Sequence, residues 1–317
     1  EESSILVLER FVSNQGNAWD VAIAELGRYF DRTAALPPLA VAPDVARAWV
    51  SGGQAAPPDA VAEALGACVF TAEVLGRRTG ELHVALAGAT DDAAFVAEPF
   101  SAADVKNIAT AMRAHAVDRL QLVERMLPRL DDRRRQLAAD VLSQREELLH
   151  RFDALERIRD AGARIRCHGD YHLGQVLVTE GDVMIIDFEG EPARPMAERR
   201  ARTSPLPDVA GMLRSFSYAA LTGFGAAAQT RPEGLERLAP WADLWETWVR
   251  AIFLRAYFTA AGKAAFLPAH EEDRETLLHS FVLDKAMYEL GYELNNRPDW
   301  VHIPLTGLLR LGALTHA

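Results

Sequence analysis

Asp170 and Asp187 are the two carboxylates on which chemistry can be built in this chain. They stand in His168-Gly-Asp170-Tyr-His172-Leu-Gly-Gln175 and, after a short gap, in Ile186-Asp187-Phe-Glu189-Gly190. Phosphoryl transfer needs one carboxylate to orient an attacking hydroxyl and accept its proton, and hard oxygen ligands to hold magnesium on the phosphates. In that chemistry Asp170 is the base and Gln175 and Asp187 are metal ligands. Glu189 is a further oxygen for a second metal or an outer contact. An acid at a strand end often only caps a turn, so the linked pair carries the argument rather than either acid alone.

The flanking residues explain how the pair would be positioned. Arg164–Cys167 reads as a brief strand, His168–Gly174 as a loop and Val176–Val178 as a second strand. Thr179-Glu-Gly-Asp182 is a turn signal, and Val183–Ile186 pairs back as a hairpin that delivers Asp187 at its end. Both carboxylates then reach one edge of a small sheet.

These strings resemble a known family. His168-x-Asp170-x4-Gln175 followed by Asp187-Phe-Glu-Gly190 is similar to the catalytic and metal-binding loops of the aminoglycoside-phosphotransferase-like branch of the protein-kinase superfamily, most of which has Asn where this chain has Gln175. The longer string His-Gly-Asp-Tyr-His-Leu-Gly-Gln-Val-Leu with Ile-Asp-Phe-Glu-Gly-Glu-Pro192, and Lys285-Ala-Met-Tyr-Glu-Leu-Gly-Tyr292 through Trp300, resemble the maltokinases. That resemblance runs from about residue 5 to the end and is weakest between 33 and 60. It implies an α+β, protein-kinase-like fold: residues 1–18 as the last N-lobe strand and hinge, and 19–317 as the helical C-lobe. The implied reaction is phosphorylation of maltose to maltose 1-phosphate with ATP and Mg2+. The implied partner is a fused or associated trehalose synthase domain. Glu9, Phe11 and Val12 would meet the nucleotide at the hinge, and His172, Arg194, Trp245, Tyr288 and Tyr292 are candidate sugar contacts. The expected lysine-bearing N-lobe strands and a glycine-rich phosphate loop are not found in the sequence, so inactivity of the isolated chain is an expectation. Two other readings stay open. One is a kinase of another hydroxyl compound, such as an aminoglycoside, choline or a homoserine-like substrate. The other is a non-catalytic docking module.

Composition narrows the classes. The 317 residues are 49% hydrophobic and 25% charged, as in a soluble globular protein, and no apolar run reaches the roughly 20 residues of a membrane span. A formal charge of −11 argues against a nucleic-acid partner. The two cysteines, Cys68 and Cys167, lie far apart, which favours free thiols and a cytoplasmic location.

Along the chain, Ser3–Val12 reads as a strand and Trp19–Phe30 as a helix beginning near Asn17 or Asp20. The Ala/Pro-rich 33–58 reads as a surface excursion, and Ala60–Leu86 as one helix with Gly80 a weak point and His83 packed inside. Ala87–Phe100 is expected as a loop. Helices are expected from Ser101 to Leu127 and from Leu137 to Ile158, with Asp131-Asp132 opening a solvated helix start. Glu191–Pro207 reads as an extended, basic segment in which Arg194, Arg199 and Arg200 either contact phosphate or sugar or pair with nearby acids. Asp208 is a good N-cap for the helix that follows, and the resemblance makes it a support for the catalytic loop. Trp241, Trp245 and Trp248 share one helical face, which suits a buried stripe and, alternatively, a sugar-stacking wall. Phe281–Leu294 is helical, and Val301–Leu309 closes with a helical turn.

Overall fold

The computed structural model describes residues 11–37, 56–88, 92–231 and 235–313. Glu9 and most of the strand expected over Ser3–Val12 lie outside the described residues, as does most of 33–58. Phe11 is 85% exposed and Phe11 and Val12 precede any regular element.

The described chain is α+β and dominated by helices. In order they are α1 (Ala18–Thr33), α2 (Asp59–Leu65), α3 (Ala67–Leu86), α4 (Ala102–Met126), α5 (Asp132–Ser143), α6 (Arg145–Asp153), α7 (Met196–Arg199), α8 (Leu206–Thr230), α9 (Leu235–Ala261), α10 (Glu271–Asn296) and α11 (His302–Ala313). Two antiparallel ribbons accompany them. β1 (Glu98–Pro99) pairs with β2 (Ala163–Arg164), and β3 (Val176–Thr179) with β4 (Asp182–Ile185) in the register Val176 to Ile185.

Local chemistry sets several boundaries. Asn17 accepts from the Asp20 N–H at 2.9 Å to start α1, and Ser101 and Asp104 form a reciprocal capping box at the head of α4. Asp131 caps α5 through the Arg134 N–H at 3.0 Å. The single helix expected over Ala60–Leu86 is instead two, because Gly66 sits at φ 58 and turns the chain between α2 and α3. The helix expected over Leu137–Ile158 is likewise divided at Gln144. The loop expected over Ala87–Phe100 contains β1, and the extended 191–207 segment contains the short α7. Asp208 is not an N-cap: α8 begins two residues earlier, at Leu206, which frees the carboxylate for another task.

Helix α8 runs through the interior, buried on nearly every side. Helices α3 and α9 pack closely because Gly76 and Gly80 leave room; a Cβ at Gly80 would lie 2.8 Å from the Tyr257 carbonyl oxygen and from the Ala260 methyl. The Gly80 weak point of the sequence is thus a close-approach point. The α9 stripe Trp241, Trp245, Trp248 is 1%, 2% and 3% exposed and fills the core, with Trp245 donating its indole N–H to Cys68 Sγ at 3.4 Å. Large aromatics of this kind dominate core energetics. Buried to this degree, the stripe presents no open face for a sugar ring to stack on. Both cysteines are free.

Candidate active site

The hairpin is fastened to the helical body on both sides. Gln15 N–H donates to the Val178 carbonyl at 2.8 Å and Val178 N–H to Gly16 at 3.0 Å, so the entry to α1 lies along β3. On β4, Arg78 of α3 grips Asp182 with its Nε at 2.8 Å. The β3–β4 register then continues outward, with Ile186 N–H donating to the Gln175 carbonyl at 3.0 Å. This brings Gln175 alongside the segment that carries Asp187.

Asp208 holds the loop that begins at His168. Its carboxylate, 2% exposed, accepts from the His168 N–H at 2.8 Å and the Gly169 N–H at 2.9 Å, and lies 3.2 Å from His83 Nε2. Burial pushes this carboxyl up, but the His83 hydrogen bond and charge and the Gly169 N–H outweigh it and hold Asp208 below the usual carboxylate range. His83 bonds Tyr257 through Nδ1 at 3.0 Å, so it is the packed residue that its place on α3 suggested. Tyr171 and Leu173 are pinned as well, by Thr79 at 2.8 Å and by Ser215 at 3.1 Å.

His168 ties the two motifs together. Its Nε2 meets the Ile186 carbonyl at 2.7 Å, and its Nδ1 accepts from the Asp170 N–H at 3.3 Å. With Nδ1 accepting from the Asp170 N–H, Nε2 is the ring nitrogen that donates to the Ile186 carbonyl. The ring also lies 5.0 Å from that of Phe188.

Asp170 faces a cleft of about 590 Å³ between the catalytic loop, the 190–207 segment, α4 and α10. Its side chain is 17% exposed, with Lys285 Nζ 3.9 Å from Oδ1 and His172 Nε2 4.0 Å from Oδ2. Burial lowers the His172 pKa, against the pull of Asp170. Tyr288, one turn beyond Lys285, is pushed up to about 12 by burial and by the charge and hydrogen bond of Glu191. His115 of α4 holds Asp284 at 2.8 Å in the same cleft.

Asp187 stands at φ 62, the left-handed region that a non-glycine residue enters at a cost of about 1–2 kcal/mol. Among the described residues its carboxylate makes no hydrogen bond or ion pair, and it is exposed. A strained residue with a free carboxylate, on a segment whose backbone pairs with Gln175, fits magnesium, which takes a few hard oxygens from protein and the rest from phosphate and water. No group of three His, Cys, Asp or Glu side chains converges among the described residues, so such a metal would lean on its substrate for ligands.

The sequence candidates divide by place. Asp170, Arg194 and Tyr288 line the cleft, and His172 sits at its edge; Gln175, Asp187 and Glu189 are carried by the loops at the end of the hairpin. Arg199 also lines the cleft, and the Arg200 carbonyl instead accepts from Arg166. Tyr292 is 45% exposed beneath the Arg297 guanidinium, 5.3 Å away, outside the cleft lining, and Trp245 is in the core. Sequence reasoning missed Lys285, Glu191 and the His115–Asp284 pair. Lys285 and Tyr288 recur three apart on α10, a spacing that would have put both on one face.

The model for the phosphotransferase enzyme family (APH) matches residues 49–241. The chain belongs to this family. Among curated relatives, a glucosamine kinase of Streptacidiphilus jiangxiensis is 29% identical over 76% of this chain and 50% of its own length. A glucosamine kinase of Mycolicibacterium smegmatis is 30% identical over 47% of this chain and 35% of its own. A solved glucosamine kinase superposes with a TM-score of 0.66 at 22% identity, covering 93% of this chain and 58% of that one. A second structure, holding glucosamine, ADP and inorganic phosphate, gives 0.65 at 23% identity, covering 93% and 60%. The fold is therefore kinase-like, and the chain spans about half the length of the Streptacidiphilus relative. No helix among the described residues is long and apolar enough to cross a membrane.

Proposed function

We propose that the protein carrying this chain transfers the γ-phosphoryl group of ATP to a hydroxyl of a sugar, with these residues supplying the acceptor side and the metal ligands. The observation that carries the reading is the loop in which Asp208 and His168 hold Asp170 at the cleft while the hairpin brings Asp187 and Gln175 to its end. Asp170 takes the proton of the attacking hydroxyl. The oxygen–phosphorus bond forms as the bond to the β-phosphate oxygen breaks, and ADP leaves with that oxygen. Gln175 and Asp187 would hold magnesium, with Glu189 as a further oxygen; the metal would neutralise phosphate charge. Arg194, Tyr288 and His172 would bound the acceptor, and the nucleotide would approach from the side of Phe11 and Val12.

Glucosamine is the first acceptor of choice, because the curated relatives are glucosamine kinases. Maltose is the second, favoured by the strings around Asp170 and Lys285; on that reading a trehalose synthase domain is the natural partner. The test is acceptor-dependent ADP release from magnesium-ATP by the full-length protein. Turnover with glucosamine or maltose supports the sugar-kinase reading and picks between the two. Turnover with neither, but with choline or a homoserine-like compound, would overturn it.

A further inference from the structure

We propose that Lys285 is a catalytic residue, whose ammonium stabilises the negative charge that develops between the acceptor oxygen and the transferring phosphoryl group. The inference rests on Asp170 being the base. Lys285 reaches the site from α10, far from the catalytic loop in sequence, and places Nζ 3.9 Å from Asp170 Oδ1. That is ion-pair range, longer than a hydrogen bond, so the ammonium keeps donors for another oxygen. It lines the same cleft as Asp170, and Nζ stands 4.9 Å from the Tyr288 ring centroid, which steadies it from the side.

The choice of residue also points this way. Only Lys106, Lys263 and Lys285 are lysines, against 34 basic residues of both kinds, and one of the three stands beside the base. A lysine ammonium is a compact point charge that suits phosphoryl oxygens. While Asp170 is ionised, the pair is nearly neutral. When the hydroxyl proton passes to Asp170, its charge is cancelled and the negative charge moves to the acceptor oxygen and the phosphoryl group. A cation held close by is then worth more in the transition state than in the ground state.

The experiment compares wild type, Lys285→Met, Lys285→Arg and Asp170→Asn in the full-length protein. Turnover is measured with magnesium-ATP and glucosamine, or with maltose if that is the acceptor used. Lys285→Met is expected to lose about 100-fold in kcat, the scale of one preorganised charge-stabilising donor. Its KM for ATP should stay within about threefold and its melting temperature should be unchanged, while Lys285→Arg recovers at least about tenfold of the loss. A Lys285→Met protein with kcat within threefold of wild type, or with only a raised acceptor KM, overturns the proposal. If Asp170→Asn also turns over normally, the reading of Asp170 falls with it. If Asp170→Asn is dead and Lys285→Met is not, only the lysine's role falls.

Discussion

Asp208 shows how a buried carboxylate can hold a loop by its backbone. Two loop N–H groups and His83 converge on it, so Asp208→Asn should destabilise the fold by about 2–3 kcal/mol, read by urea unfolding near neutral pH. The native pKa is depressed, so the stabilisation is full above the unfolded carboxyl value of about 4 and is lost as pH falls through the native value. The gap between wild type and variant should therefore close under acid; a gap constant from pH 7 to pH 3 would contradict this account of Asp208. Asp187 makes a second residue-scale case. Asn tolerates its φ of 62 but surrenders the charge, so Asp187→Asn should keep the melting temperature and need at least about tenfold more magnesium for half-maximal activity. These roles were partly legible in the sequence. The acids of the two motifs declare themselves by type and spacing, and the support role of Asp208 came with the resemblance. Lys285 did not declare itself, because its partner is 115 residues away in sequence and a lysine on a helix is ordinarily a solvated one.

The elements explain which boundaries could be read. Asn17, Ser101 and Asp131 were legible as helix starts because capping is a local interaction. The hairpin was legible because two short apolar runs and the turn signal between them are local too. The break at Gly66 was missed, because apolar periodicity continues across it and only the positive φ reveals the turn. The use of the α9 tryptophans and of Gly76 and Gly80 depends on what faces them, which periodicity does not encode. Gly76→Ala tests the α3–α9 contact. Its Cβ would land on the Phe253 carbonyl oxygen, and the resulting overpacking of about 1–3 kcal/mol should exceed the roughly 1 kcal/mol gained in helix propensity. A lower melting temperature is expected. Gly225→Ala in α8 is the control, since a Cβ there meets nothing within 4 Å, and it should leave the melting temperature unchanged or raised. A raised melting temperature for Gly76→Ala would mean that the two helices are not held in close contact.

At the scale of the molecule, the helical body of α3, α4 and α8–α10 supports a small hairpin and one cleft that joins the loop carboxylate to a helix-borne lysine. The chain covers about half of the Streptacidiphilus relative. The proposed reaction turns on Asp170, and its test is sugar-dependent ADP release by full-length wild type and Asp170→Asn proteins of equal melting temperature. Loss of the base should lower kcat by about 10²–10⁴, the range of general-base catalysis. An Asp170→Asn enzyme that turns over within tenfold of wild type would contradict the account.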